Sequence, residues 1–131
     1  MYSYNYQAGT HLAAQNYNNC IRTEQGYCSI SYSAVGTNDF ELSGTDAARV
    51  SDQGDSCSQD YVYISGGAAD TTPTTTTQDR WCGGILNSAD ANAAQGTIVT
   101  KVTPFQIGVV TDANEETYYN IEGVKDKLST G

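Results

Sequence analysis

The chain has 131 residues, of which 38% are hydrophobic and 16% charged, and its 15 acidic against 6 basic side chains give a formal net charge of −9 at pH 7. This length predicts one domain that spans residues 1–131, and the ten tyrosines favour strands over helices. The negative charge argues against a nucleic-acid partner, and because no apolar run approaches the roughly 20 residues of a bilayer span, we expect no membrane insertion.

The first part of the chain predicts a strand followed by a hairpin. Residues Tyr2–Tyr6 alternate tyrosine with polar residues, which is typical of a strand with one aromatic face. Residues Asn18–Tyr32 predict two strands joined at a turn over Thr23–Gly26. We expect Cys28, Ile30 and Tyr32 to face the core from the second of these strands.

Polar segments dominate the middle of the chain. Residues Thr45–Ser58 predict a loop that carries three aspartates, and Asp60–Ile64 predicts a strand. The tract Thr71–Thr77 is of low complexity, so we expect an exposed loop, and O-glycosylation there is an alternative to a plain surface role. Residues Asn87–Gly96 predict a further loop.

The strongest strand signals lie in the last third of the sequence. Ile98–Val102 and Phe105–Val110 predict strands, and the second places Phe105, Ile107 and Val109 on one face. An acidic turn follows over Thr111–Glu116, and Tyr118–Leu128 contains a last strand. Short strands separated by glycine-rich turns are typical of an antiparallel β-sandwich. The predicted fold class is therefore all-β.

The four cysteines predict a disulfide-bonded fold, because their spacing matches neither a zinc site nor a thioredoxin-like motif. Three pairings are possible. We favour Cys20 with Cys28 and Cys57 with Cys82, since each pair flanks a predicted hairpin or strand-loop-strand unit. Two disulfides imply an oxidising compartment, so we expect a secreted, extracellular protein.

Five short pieces of the sequence occur in the order in which a known family carries them. They are Tyr4–Tyr6 with His11–Ala13 and Tyr17; Cys20–Arg22 through Gly26–Ile30; the C-x-x-D-Y piece Cys57–Tyr61; Asp79–Gly83; and Pro104–Phe105 through Thr111–Asp112. Together they resemble the CUB domain, particularly its arthropod-type relatives. The resemblance implies a β-sandwich that serves as a non-catalytic extracellular module for binding or assembly. Two features differ from the pattern of the family. The polar loop over Asp39–Asp55 is longer than expected, and the final glycine-aromatic motif is weak over Gly123–Asp126.

The resemblance also implies a calcium site. Many CUB domains bind calcium at one end of the sandwich, and Asp60 and Asp112 occupy two of the family's ligand positions. Asp55 or Asp52 could supply the remaining acidic group, and the side chain of Asn114 could add an oxygen, as calcium needs six to eight oxygen ligands. The alternative is that Asp60 only caps a turn.

Catalytic residues are not apparent, and we predict that the protein is not an enzyme. The only histidine, His11, lies in a polar stretch without a nucleophile motif nearby. Trp81, Tyr118 and Tyr119 are candidates for a binding surface, because tyrosine and tryptophan combine an apolar face with a polar tip. Core packing is the alternative for Trp81.

The sequence thus predicts a secreted binding or assembly module that contacts a protein or a glycan, with calcium as a candidate cofactor. A second hypothesis is a structural subunit that forms homo-oligomers or fibres, in which Tyr2–Tyr6 completes a neighbour's sheet. A third hypothesis is a carbohydrate-binding module or a small glycosidase.

Overall fold

The computed structural model describes residues 13–36, 40–42, 50–69, 76–113 and 124–129. These residues form strands and turns and contain no α-helix. The strands are β1 (Asn16–Cys20), β2 (Ser29–Ala34), β3 (Ser51–Gln53), β4 (Tyr61–Gly67), β5 (Gln78–Gly83), β6 (Thr97–Thr100), β7 (Gln106–Val110) and β8 (Val124–Ser129), with one 3-10 turn over Gly54–Ser56.

The strands form two antiparallel sheets. The larger sheet has the order β1-β7-β4-β5-β3, and the smaller has the order β6-β2-β8. Buried side chains from both sheets join one hydrophobic cluster, so the sheets enclose a shared core. This arrangement confirms the predicted all-β, antiparallel fold.

Alternation along the strands places the core residues where the sequence predicted them, except for Cys28, which precedes β2 and is exposed. Ile30 and Tyr32 in β2 are fully buried, and their neighbours in the strand are partly exposed or small. Phe105, Ile107 and Val109 are buried on one face at β7. Because side chains in a strand point alternately to opposite faces, this pattern directs one side of each strand into the core.

The predicted hairpin over Asn18–Tyr32 is wrong, because its two strands lie in different sheets. β1 pairs with β7, where Cys20 lies opposite Gln106, whereas β2 pairs with β6 and β8. Residues 21–28 therefore cross from one sheet to the other. A pattern of period two identifies a strand and its buried face, but it does not identify the strand's neighbour.

One predicted disulfide is confirmed and the other is absent. Cys57 and Cys82 are bonded, with Cα atoms 5.7 Å apart, and both are buried. Cys20 and Cys28 are free and exposed, so the second predicted bridge is wrong. That bridge required the two residues to face each other across a ladder, and instead one ends β1 while the other precedes β2 in the opposite sheet.

We predict that a maleimide reagent modifies two thiols per folded chain. Cys20 and Cys28 are solvent-accessible, whereas Cys57 and Cys82 are buried and oxidised. Mass spectrometry of the labelled protein, without reductant, should show two adducts. Reduction after unfolding should raise the number to four. Absence of adducts in the folded protein would mean that Cys20 and Cys28 are bonded to each other.

The other sequence predictions for individual segments have mixed outcomes. Residues 87–96 form turns, as predicted, and β8 supplies the last strand. β3 and the 3-10 turn after it were not predicted, because both lie inside the segment interpreted as a polar loop. Thr76 and Thr77 are exposed, while Tyr2–Tyr6 and Thr71–Thr75 lie outside the described residues.

Candidate functional site at the Asp60 end of the larger sheet

Three strand ends meet at one end of the larger sheet. Tyr61 in β4 pairs with Val110 in β7, and Val110 also pairs with Asn16 in β1. Because these pairs are antiparallel, β4 and β1 begin where β7 ends. Asp60, directly before β4, and Asp112, two residues after β7, are thus brought to the same place.

Asp60 is buried there and contacts the chain that leaves β7. Asp60 is 1% exposed, and its Oδ1 accepts a hydrogen bond from the backbone N–H of Asp112 at 2.8 Å. A carboxylate removed from water needs such donors, because an unsatisfied buried charge is costly. The bond fixes the segment after β7 against the segment before β4.

Hydrogen bonds to Ala14 and Gln15, just before β1, hold the segment that contains Thr111 and Asp112. The N–H of Thr111 donates to the carbonyl of Gln15 at 2.8 Å, and the hydroxyl of Thr111 accepts from the N–H of Gln15 at 2.8 Å. The N–H of Ala14 donates to the carbonyl of Asp112. Asp112 is partly exposed, so the buried carboxylate of Asp60 lies against the backbone of a more accessible acidic residue.

Of the other predicted metal ligands, Asp52 and Asp55 are not grouped with this pair. Asp55 lies on the exposed 3-10 turn, and Oδ1 of Asp52 accepts the N–H of Gln53 at 2.8 Å. Asn114 lies outside the described residues. Within the described ranges, no three His, Cys, Asp or Glu side chains are close enough to hold a metal ion. Two carboxylates, Asp60 and Asp112, are therefore the described part of a potential oxygen site.

Arg80 stabilises the segment from Cys57 to Tyr61, which contains Asp60. This role was not predicted from the sequence. Its guanidinium lies 5.0 Å from the ring centroid of Tyr61, and its Nη1 donates to the carbonyl of Cys57 at 3.5 Å. Since Cys57 is also bonded to Cys82, both ends of the short segment before β4 are attached to β5. An arginine one residue before a Trp-Cys pair was visible in the sequence, but its stacking partner was not.

The predicted aromatic surface is only partly within the described residues. Trp81 lies in the core, 1% exposed, and its indole N–H donates to the carbonyl of Ile64 at 3.4 Å. Tyr118 and Tyr119 lie outside the described residues, as does His11. The structure therefore does not place Trp81 in an exposed aromatic patch.

Comparison with known proteins identifies the family. A family model described as the animal CUB domain matches residues 1–127. The chain belongs to the CUB domain family. A search of the curated proteins found no match, and neither did a search of the solved structures.

Membership of the CUB family confirms the resemblance seen in the sequence. CUB domains are generally extracellular, non-catalytic modules that mediate protein interactions. Among the strands and turns that the structure describes, there is no helix with the length and hydrophobicity of a membrane span. In this CUB domain, Asp60 and Asp112 connect β4, β7 and the start of β1 at one end of the sandwich.

Proposed function

We propose that this CUB domain is a secreted, non-catalytic module that binds an extracellular protein or glycan, and that calcium orders the loops at its Asp60 end. The observation that carries the calcium part is the contact between the buried Asp60 carboxylate and the backbone of Asp112. It brings two acidic residues, distant in sequence, to one end of the sheet.

The chemistry of the pair fits a hard cation. Calcium prefers carboxylate and carbonyl oxygens and accepts flexible coordination. Two aspartates in one place, in a chain with a formal net charge of −9, create a negative potential that a divalent cation would reduce. Asp60 and Asp112 would hold the ion, and Asn114 is the further ligand that we propose. When bound, the ion would link loops that otherwise repel one another.

Calorimetric titration of calcium into the intact protein tests this proposal. We expect saturable binding to the unmodified protein and an affinity at least about tenfold lower in Asp112→Ala, which removes a carboxylate. The backbone N–H of residue 112, which donates a hydrogen bond to Asp60, is retained in this variant. Asp90→Ala is the matched control, because it removes an exposed carboxylate from the loop before β6. Absence of binding to the unmodified protein would remove calcium from the proposal and leave the binding module.

Assembly into oligomers or fibres is the second candidate from the sequence, and it is tested independently. In the larger sheet, β1 is an edge strand among the described strands, and an edge strand can accept a further strand from another chain. Size-exclusion chromatography and electron microscopy of the pure protein separate a soluble module from a polymer. A monomer at all concentrations tested would exclude the fibre subunit.

A further inference from the structure

The segment that crosses from one sheet to the other is fully exposed. Residues 22–28, the crossing segment, form the longest unbroken exposed run among the residues that the structure describes. Its internal backbone hydrogen bond runs from the N–H of Tyr27 to the carbonyl of Glu24 at 3.3 Å, so a turn rather than a strand ladder holds the chain there. Nothing lies within 4 Å of a Cβ added at Gly26. Exposed polar loops of this kind are the preferred sites of proteolytic cleavage.

Arg22 is the first residue of the crossing segment and projects into solvent. Its side chain is 87% exposed, and its Nε lies 3.6 Å from Oε1 of Glu24, whose side chain is 54% exposed. An ion pair this exposed contributes little, so it does not keep the guanidinium from another carboxylate. Trypsin-like endoproteases bind the side chain before the cleaved bond through a carboxylate in their specificity pocket, and an arginine pairs well with such a group. Arg22 therefore presents the side chain that this class of enzyme recognises.

The other four basic residues that the structure describes are less accessible to a protease. Arg80 lies in β5, paired with β4, and Lys125 and Lys127 lie in β8, paired with β2. Lys101 is exposed, but it belongs to a run of four exposed residues, 101–104, between β6 and β7. A bond within a strand ladder or a short connection is cleaved only after local unfolding, which lowers its rate of cleavage.

The contacts that hold β1 do not pass through the crossing segment. All five residues of β1 pair with β7, and the N–H of Ile21 donates to the carbonyl of Phe105 at 2.9 Å. At the other end of the strand, Gln15 and Thr111 exchange two hydrogen bonds. Tyr17 and Ile21 also pack against the core. A cut in the crossing segment therefore leaves the attachment of β1 in place.

We propose that the Arg22–Thr23 peptide bond is a processing site for trypsin-like endoproteases. Water adds across this bond, so Arg22 gains a terminal carboxylate, Thr23 gains a free amino group, and no other bond changes. The product is a two-chain domain in which residues 1–22 are held by strand pairing and packing. This inference goes beyond the proposed function and does not depend on calcium.

Limited digestion of the folded full chain with trypsin tests the proposal. Mass spectrometry of early samples gives the initial rate of cleavage after each described basic residue. We expect the new N-terminus at Thr23 to form at least about tenfold faster than cleavage after any of the other four, because these need local unfolding. An equal or faster cut after one of the four, or no cut after Arg22, would overturn the inference.

Three variants test the specificity of the cut. Arg22→Gln removes the charged group, so we expect formation of the Thr23 N-terminus to slow at least about a hundredfold. Arg22→Lys keeps a positive charge and should still be cut. Lys101→Gln is the matched control, since it removes an exposed basic side chain from another connection and should leave the rate at Arg22 unchanged. An unchanged rate in Arg22→Gln would contradict recognition of the guanidinium.

Size-exclusion chromatography of the cleaved chain tests the two-chain product. The double variant Cys20→Ser with Cys28→Ser is used, so that no disulfide can join the fragments across the cut. We expect both fragments to elute together at the volume of the intact protein and to separate in urea. Separation without urea would show that pairing with β7 does not retain residues 1–22.

Discussion

Replacing Gly83 with alanine is expected to lower the free energy of unfolding by about 3 kcal/mol or more. Gly83 has a φ of +91°, which L side chains rarely adopt, and an added Cβ would overlap the carbonyl oxygen of Val50 and lie 3.0 Å from the N of Asp52. Both obstacles are backbone atoms, which cannot rotate away. The residue also exchanges two backbone hydrogen bonds with Leu42. Urea denaturation of the variant measures the loss.

Gly26→Ala is the matched control, because it separates backbone strain from the steric clash. Gly26 has nearly the same φ, +92°, but nothing lies within 4 Å of the added Cβ. We expect this variant to lose about 1 kcal/mol, from the unfavourable conformation alone. Equal losses in Gly26→Ala and Gly83→Ala would show that the strands around Gly83 move apart and that packing there is not tight.

Removal of the Cys57–Cys82 disulfide is the second change with a large expected effect. The two cysteines are separated by 25 positions, so the bridge closes a loop of 26 residues when both are counted. The chain-entropy relation gives about 3.5 kcal/mol for a loop of this length. The double variant Cys57→Ala with Cys82→Ala should lose this amount of stability, which is a large share of the roughly 5–15 kcal/mol of a typical domain.

The free cysteines provide the control for this experiment. Cys20→Ser with Cys28→Ser changes the same number of sulfurs at exposed positions, and we expect the free energy of unfolding to stay within about 0.5 kcal/mol. Urea denaturation without reductant compares both double variants with the unmodified protein. A similar large loss in both would indicate that Cys20 and Cys28 also form a stabilising bridge.

Most strands could be predicted from the sequence because their alternation is strong. In β2 and β7, apolar residues recur at every second position, and burial follows that pattern. β3 could not be predicted, since Ser51–Gln53 is short and polar and exists through its pairing with β5. Its strand character comes from tertiary contacts, which local propensity does not contain.

Strand neighbours were harder to predict than strands. Cys20 and Cys28 are close in sequence, and a hairpin is the simplest connection between them, but β1 and β2 find partners more than sixty residues later. Sequence distance therefore gave the wrong pairing for one disulfide. Cys57 and Cys82 flank β4 and the start of β5, which do pair directly, and here the prediction is confirmed.

The candidate site was predictable only where a family motif marks it. Asp60 and Asp112 were identified by the CUB resemblance, and the hydrogen bond between them gives that pair a structural basis. The contribution of Arg80 depends on a ring from another strand. This arrangement has no signature within a single segment, so it required the folded chain.

The pairing of early strands with late ones affects how the protein can be made. Among the described strands, β1 pairs only with β7, and β2 pairs only with β6 and β8. A nascent chain that has left the ribosome up to residue 96 therefore still lacks every described sheet partner of its first two strands. We expect productive folding to await nearly complete synthesis, with slow kinetics typical of distant contacts.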